Sequence, residues 1–123
     1  PAARFVADFI GQGAFLQGTL TASNKVETEI GLIRGVNHYD WPVGSTVEVL
    51  IRPDDIVPDP DCRLLATVEK RAFKGAETLY TLRLPSGTPV YSLLPSHHNH
   101  SLNTQIGIRL VADHLVAFPA ATL

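Results

Sequence analysis

Val47-Glu48-Val49-Leu50-Ile51-Arg52-Pro53-Asp54-Asp55-Ile56-Val57 is the stretch whose reading decides the fold. Val47, Val49 and Ile51 alternate with period 2, and β-branched residues suit a pleated surface, so the first half predicts a strand. Arg52 precedes proline and is biased toward extended geometry. Pro53 lacks an N–H and cannot continue a central ladder. Asp54 and Asp55 carry turn chemistry and are expected in a solvated turn. Ile56 and Val57 return the chain to a buried surface.

The pattern returns 59 residues later. Ile106, Ile108 and Leu110 alternate as Val47, Val49 and Ile51 do. Asp113 then stands where Asp54 stood, and Leu115-Val116 where Ile56-Val57 stood. Strand–turn–strand patterns also recur by chance. Read as a repeat, the two copies suit two similar small β-barrels or one pseudo-symmetric barrel.

Outward from this stretch, short strands are expected over 14–20, 26–33, 62–73, 78–84, 88–93, 104–111 and 114–118. Gly/Pro/Asp turns separate them. That spacing predicts an all-β barrel or sandwich. Trp41-Pro42-Val43-Gly44 reads as a turn, with Trp41 as a core plug at a barrel mouth. Phe5, Val6, Phe9 and Ile10 have helical spacing, and Gly11 and Gly13 end that helix.

The 123 residues suffice for one domain or two very small subdomains sharing a core, divided at about 14–60 and 61–123. Ten Lys/Arg against twelve Asp/Glu give a net charge of −2, which argues against a nucleic-acid surface. Cys62 is the single cysteine, so no internal disulfide forms, which fits a reducing compartment. No apolar run reaches the ~20 residues that span a bilayer. No signal peptide is evident, and the chain starts at Pro1 without a methionine, as expected of a piece of a longer protein.

Three segments carry a resemblance. Leu50-Ile51-Arg52-Pro53-Asp54-Asp55-Ile56 resembles the "(V/I)RPE-x-I" signature of the C-terminal transport-associated OB domain, TOBE, of ABC-importer ATPase subunits. Arg4-Phe5-Val6-Ala7-Asp8-Phe9-Ile10-Gly11 is similar to the "x-FVAxFIG" linker after the ATPase domain of those subunits. His114 to Leu123 resembles the terminus of ferric-iron importer ATPases. Asp54 departs from the usual Glu, and the His97-His98-Asn99-His100 segment has no counterpart in the pattern. The resemblance implies an OB-like all-β domain over 14–123 behind a linker helix within 1–13. It implies a non-catalytic regulatory and dimerisation role. ATP and Mg would belong to an ATPase domain upstream, with Walker and "LSGGQ"-type motifs. The implied partners are a second copy of the domain and, for the parent protein, transporter membrane subunits at the cytoplasmic face. Ferric iron is the implied cargo; polyamine, sulfate, maltose-type and phosphonate importers carry similar domains.

No G-x-x-x-x-G-K-[ST] loop, nucleophile elbow or Cys-x-x-Cys pair occurs. Asp54, Asp55, Asp59 and Asp61 read either as oxygen donors for a hard cation or as a solvated turn. His97, His98 and His100 are the candidate metal ligands; the alternative is exposed histidines in a polar loop. A ligand-sensing module for a metal or for the transported ion is thus a second reading. Arg52, Arg63, Lys70, Arg71, Lys74 and Arg83 could serve an anion, but their spacing shows no pocket. An oligonucleotide-binding OB-fold is a third reading, and it needs a basic, aromatic-studded strand face. Leu16, Leu20, Val90 and Leu93 lie in strands without assigned partners and are the candidate dimer interface.

Overall fold

The computed structural model describes residues 13–111 and 115–120. The expected linker helix and the Asp113-His114 turn of the second repeat lie outside them. The described residues carry ten strands and one 3-10 turn: β1 (Ala14–Ala22), β2 (Lys25–Thr28), β3 (Gly31–Arg34), β4 (Thr46–Ile51), the turn Pro53–Asp55, β5 (Ile56–Pro58), β6 (Leu65–Phe73), β7 (Glu77–Arg83), β8 (Pro89–Pro95), β9 (Gln105–Leu110) and β10 (Ala117–Pro119). The all-β expectation holds. Two compact units form. One takes the chain up to Ile51 together with its C-terminal segment; the other is Arg52–Val111. The chain thus changes unit at Arg52, not near residue 60, and β10 returns to the first unit.

The first unit holds one five-stranded sheet, in the order β10-β4-β1-β2-β3. Leu16, Leu20, Val47, Val49 and Ile51 are buried, as their period-2 spacing requires. A Cβ on Gly18 would lie 2.5 Å from Val26 Cγ1 and 2.9 Å from Glu27 O, so glycine lets β2 close on β1. The expected strand over 26–33 is broken in two. The Thr28 hydroxyl accepts from Ile30 N–H at 3.2 Å and donates to Gly31 O at 2.8 Å, and Gly31 takes φ +124, open mainly to glycine. Trp41 is half-buried and stacks on Tyr39, ring centroids 4.6 Å apart, so it is not the expected core plug. The Tyr39 hydroxyl donates to Leu115 O at 3.3 Å and accepts from Ala117 N–H at 3.1 Å, holding β10 in place.

The second unit has the order β5-β9-β6-β7-β8. Each unit is a three-strand meander whose fourth strand returns beside the first, a Greek-key order, extended by a three-residue tail strand. That tail is contributed by the other half of the chain: β5 follows β4 in sequence but pairs with β9, and β10 follows β9 but pairs with β4. The registers agree. Pro58 stands opposite Ile108, and the 59-residue shift converts that pair into Ala117 opposite Val49, which is also observed. The repeat read from residues 47–57 is therefore a repeat of topology and register. Tyr80, Leu82, Val68, Val90, Ile56 and Ile108 form the core of this unit. Buried Ser92 donates its hydroxyl to Ile56 O at 2.7 Å, so its burial leaves no lone donor.

Candidate functional site

The histidine segment follows β8. Pro95 O accepts from His98 N–H at 3.0 Å, which turns the chain back. Arg71 Nη1 donates to Asn99 Oδ1 at 3.1 Å and to His100 O at 3.2 Å. The buried Tyr80 ring sends its hydroxyl into the same loop, donating to His98 O at 2.9 Å and accepting from His100 N–H at 3.2 Å. The loop is thereby pinned by side chains from β6 and β7. The rings of His97 and His98 lie 4.6 Å apart, and those of His98 and His100 6.3 Å apart. Burial, and secondly the charge of His98, hold the His100 pKa below its ordinary 6.5. Its Nε2 is buried without a hydrogen-bond partner. The three rings are gathered, but a metal needs lone pairs converging on one point. Among the described residues no three His, Cys, Asp or Glu side chains are so arranged.

The four aspartates are separated by distinct tasks. Asp55 is buried, against the expectation of a solvated turn. Its Oδ2 accepts from Arg52 N–H at 2.8 Å, its own N–H donates to Arg52 O at 3.0 Å, and its carbonyl accepts from Val111 N–H at 2.8 Å. This latch fixes the bend at which the chain leaves β4. Asp54 is exposed. Asp59 accepts from Asp61 N–H at 3.0 Å and pairs with Arg109 at 3.1 Å. The turn 59–62 presses on Gly107, where an added Cβ would collide with Asp59 O and lie 2.9 Å from Cys62 O.

The basic residues that looked scattered in sequence are partly collected. On the second unit a cavity of about 490 Å³ is lined by Arg63 and Arg83 together with Leu65, Thr67, Pro85 and Gln105. Arg83, Thr67 and Gln105 form one cross-strand row, because Thr67 stands opposite Arg83 on β7 and opposite Gln105 on β9. Nothing in the linear sequence marks this row; strand pairing creates it. On the first unit a smaller hollow of about 270 Å³ is lined by Gln17, Thr19, Glu27, Glu29 and Thr46 among others.

Leu16, Leu20 and Val90 are 2% exposed or less, so the sheets consume them as core. Leu93 is half-buried. The large exposed apolar side chains are different ones: Leu32, Val36 and Val43 in the first unit, and Leu65, Phe73, Leu102 and Val111 in the second. No described helix is long and apolar enough to cross a membrane.

Two OB-like units of matching topology, exchanging tail strands, define a small all-β domain of tandem design. The chain belongs to the TOBE domain family, whose model matches residues 49–118, from inside β4 to inside β10. The chain is 37% identical over 99 residues to the spermidine/putrescine import ATP-binding protein PotA of Rubrobacter xylanophilus, covering 71% of this chain and 26% of that protein. It is 30% identical over 131 aligned positions to the sulfate/thiosulfate import ATP-binding protein CysA 2 of Chromobacterium violaceum, covering 97% of this chain and 35% of that protein. The chain thus spans about a quarter to a third of these relatives. The fold is shared with the cytoplasmic molybdate-binding protein ModG, solved with molybdate bound: TM-score 0.66 at 13% identity, over 86% of this chain and 95% of that one.

Proposed function

We propose that this chain is the regulatory and dimerisation domain of the ATP-binding subunit of an ABC importer, and that it performs no catalysis itself. The supporting observation is the TOBE match running from β4 to β10, together with relatives that are import ATP-binding proteins. In this reading ATP and Mg belong to a separate ATPase domain. The domain pairs with its copy in a second subunit and so tethers two ATPase domains as they open and close. The parent subunit sits at the cytoplasmic face of the membrane against the transporter's membrane subunits.

A second copy would be met at β3, which ends its sheet among the described residues and where Leu32 is 41% exposed, and at Val36 and Val43, which are 86% and 68% exposed. An unpaired edge with apolar side chains must be covered or charged. A two-fold partner covers it with the same patch. A self-sufficient interface buries at least about 1,000 Å²; a weaker one still serves when membrane subunits raise the effective concentration. Sedimentation velocity of this chain over a wide concentration range tests the pairing. A dimer that Leu32→Glu dissociates supports it, and a monomer at all concentrations overturns self-association.

Ferric iron is the proposed cargo, supported by the resemblance of residues 114–123 to iron-importer termini. Cells lacking the parent subunit should lose uptake of radiolabelled ferric iron. Intact iron uptake with lost putrescine or sulfate uptake would refute the cargo assignment and leave the domain assignment standing.

A further inference from the structure

We propose that the groove on the second unit binds a small carboxylate that carries an apolar chain. The inference rests on the geometry of that unit and does not depend on the importer reading.

The groove is built by strand pairing on the solvent side of β7, β6 and β9. Arg83, Thr67 and Gln105 stand side by side across these three strands. They place a guanidinium, a hydroxyl and an amide in one row. Two residues along, Leu65 stands opposite Gly107. Glycine contributes no side chain there, and the turn 59–62 takes the room beside Leu65 that a side chain would have used. The turn 59–62 closes the Gly107 end, since any Cβ on Gly107 would strike its carbonyls. Arg63 follows directly from that turn and supplies a second guanidinium to the lining.

Charge and polarity select the ligand class. Arg83 Nε pairs with Glu69 at 2.8 Å, which orients the guanidinium while its side chain stays 53% exposed. Two arginines and no carboxylate line the groove itself. A guanidinium offers a planar fork of donors that matches a carboxylate bidentately. The rest of the lining is apolar. Leu65 is 43% exposed and Pro85 is exposed, so hydrocarbon gains by covering them. A cavity of about 490 Å³ falls in the size range of small-molecule sites. A bare inorganic anion would engage the arginines and leave the apolar floor wet, so the geometry favours the amphipathic acid.

The test is an amide NMR titration of the full 123-residue chain with octanoate, with inorganic phosphate and octylamine as separate arms. Octanoate should shift the amides of Leu65, Thr67, Arg83 and Gln105 saturably. The double variant Arg63→Gln/Arg83→Gln should weaken binding about tenfold or more, the loss expected of charge-assisted hydrogen bonds. Leu65→Ser should weaken octanoate and leave the phosphate response unchanged. Circular dichroism melting of each variant shows that the fold is retained. Absence of saturable shifts with octanoate overturns the proposal. So does equal response to octylamine, or tighter binding of phosphate than of octanoate.

Discussion

Replacing Asp55 by alanine should destabilise the protein substantially, although its sequence context is that of an exposed turn. The carboxylate is 5% exposed and accepts the Arg52 N–H at 2.8 Å. Alanine keeps the backbone bonds of Asp55 to Arg52 and Val111 but leaves that N–H without its partner. A hydrogen bond to a charged group is worth about 1.5–3 kcal/mol. The Arg52 side is partly solvated, so the low half of that range applies, and about 2 kcal/mol is expected. At roughly 4 °C per kcal/mol for a domain of this size, the midpoint should fall by about 8 °C. Asp55→Asn keeps an acceptor oxygen and should lose about half as much. Asp54→Ala, at an exposed position, should stay within about 0.5 kcal/mol of the parent. The assay is thermal melting by circular dichroism, with urea unfolding at 25 °C as a second axis. Hydrogen exchange at the Val111 amide gives a local readout, because that amide donates to the Asp55 carbonyl at the same bend. If Asp55→Ala melts within a degree or two of the parent, the latch contributes nothing and the bend is held by Pro53 and the flanking strands alone.

Gly107→Ala should destabilise by about 2 kcal/mol, because its Cβ meets backbone carbonyls that cannot rotate away; an unchanged urea midpoint would refute the close approach. Tyr39→Phe removes the hydrogen bond donated to Leu115 O, just before β10, and the one accepted from Ala117 N–H in β10; it should cost about 1–2 kcal/mol and accelerate exchange at the Ala117 amide. The His100 ring should titrate below 6.5 by NMR, and His98→Gln should move it back toward that value. The sign for stability follows. A base whose folded pKa is depressed binds fewer protons when native, so its contribution is present at and above pH 6.5 and is lost as pH falls toward the folded value. A His100→Gln variant should therefore lose less stability between pH 7 and 5 than the parent; equal losses would exclude His100 as the source.

The all-β class and the repeat were legible because both depend on local spacing. Period-2 alternation at Val47, Val49 and Ile51 specifies a strand with one buried face wherever that strand is placed. The 59-residue echo preserved that face in β9, and the register followed it. The Arg52-Pro53 break was equally local, since a missing N–H ends a ladder in any context. The break within residues 26–33 was less visible. It depends on the Thr28 hydroxyl reaching Ile30 and Gly31, and on the φ that Gly31 alone among those residues takes readily.

Partnership between distant residues was not legible. Sequence spacing shows which face a side chain occupies but not what covers that face. Leu16, Leu20 and Val90 looked available for a second copy, yet the sheets bury all three. Asp55 looked solvated, and its burial follows from how β4 gives way to β5. Trp41 looked like a core residue, yet it is only half-buried and stacks on Tyr39. His97, His98 and His100 are close in sequence, so proximity was certain; the path of their loop is held by Arg71 and Tyr80 from other strands, through the main chain of His98 and His100. The Arg83–Thr67–Gln105 row is wholly tertiary, because only the pairing of β7, β6 and β9 brings residues so far apart in the chain into one line. Periodicity is encoded within a few residues of itself, and the sequence alone determined the strands, their faces and their repetition. Burial, hydrogen-bond partners and the groove depend on which strands meet, and that was decided by the fold.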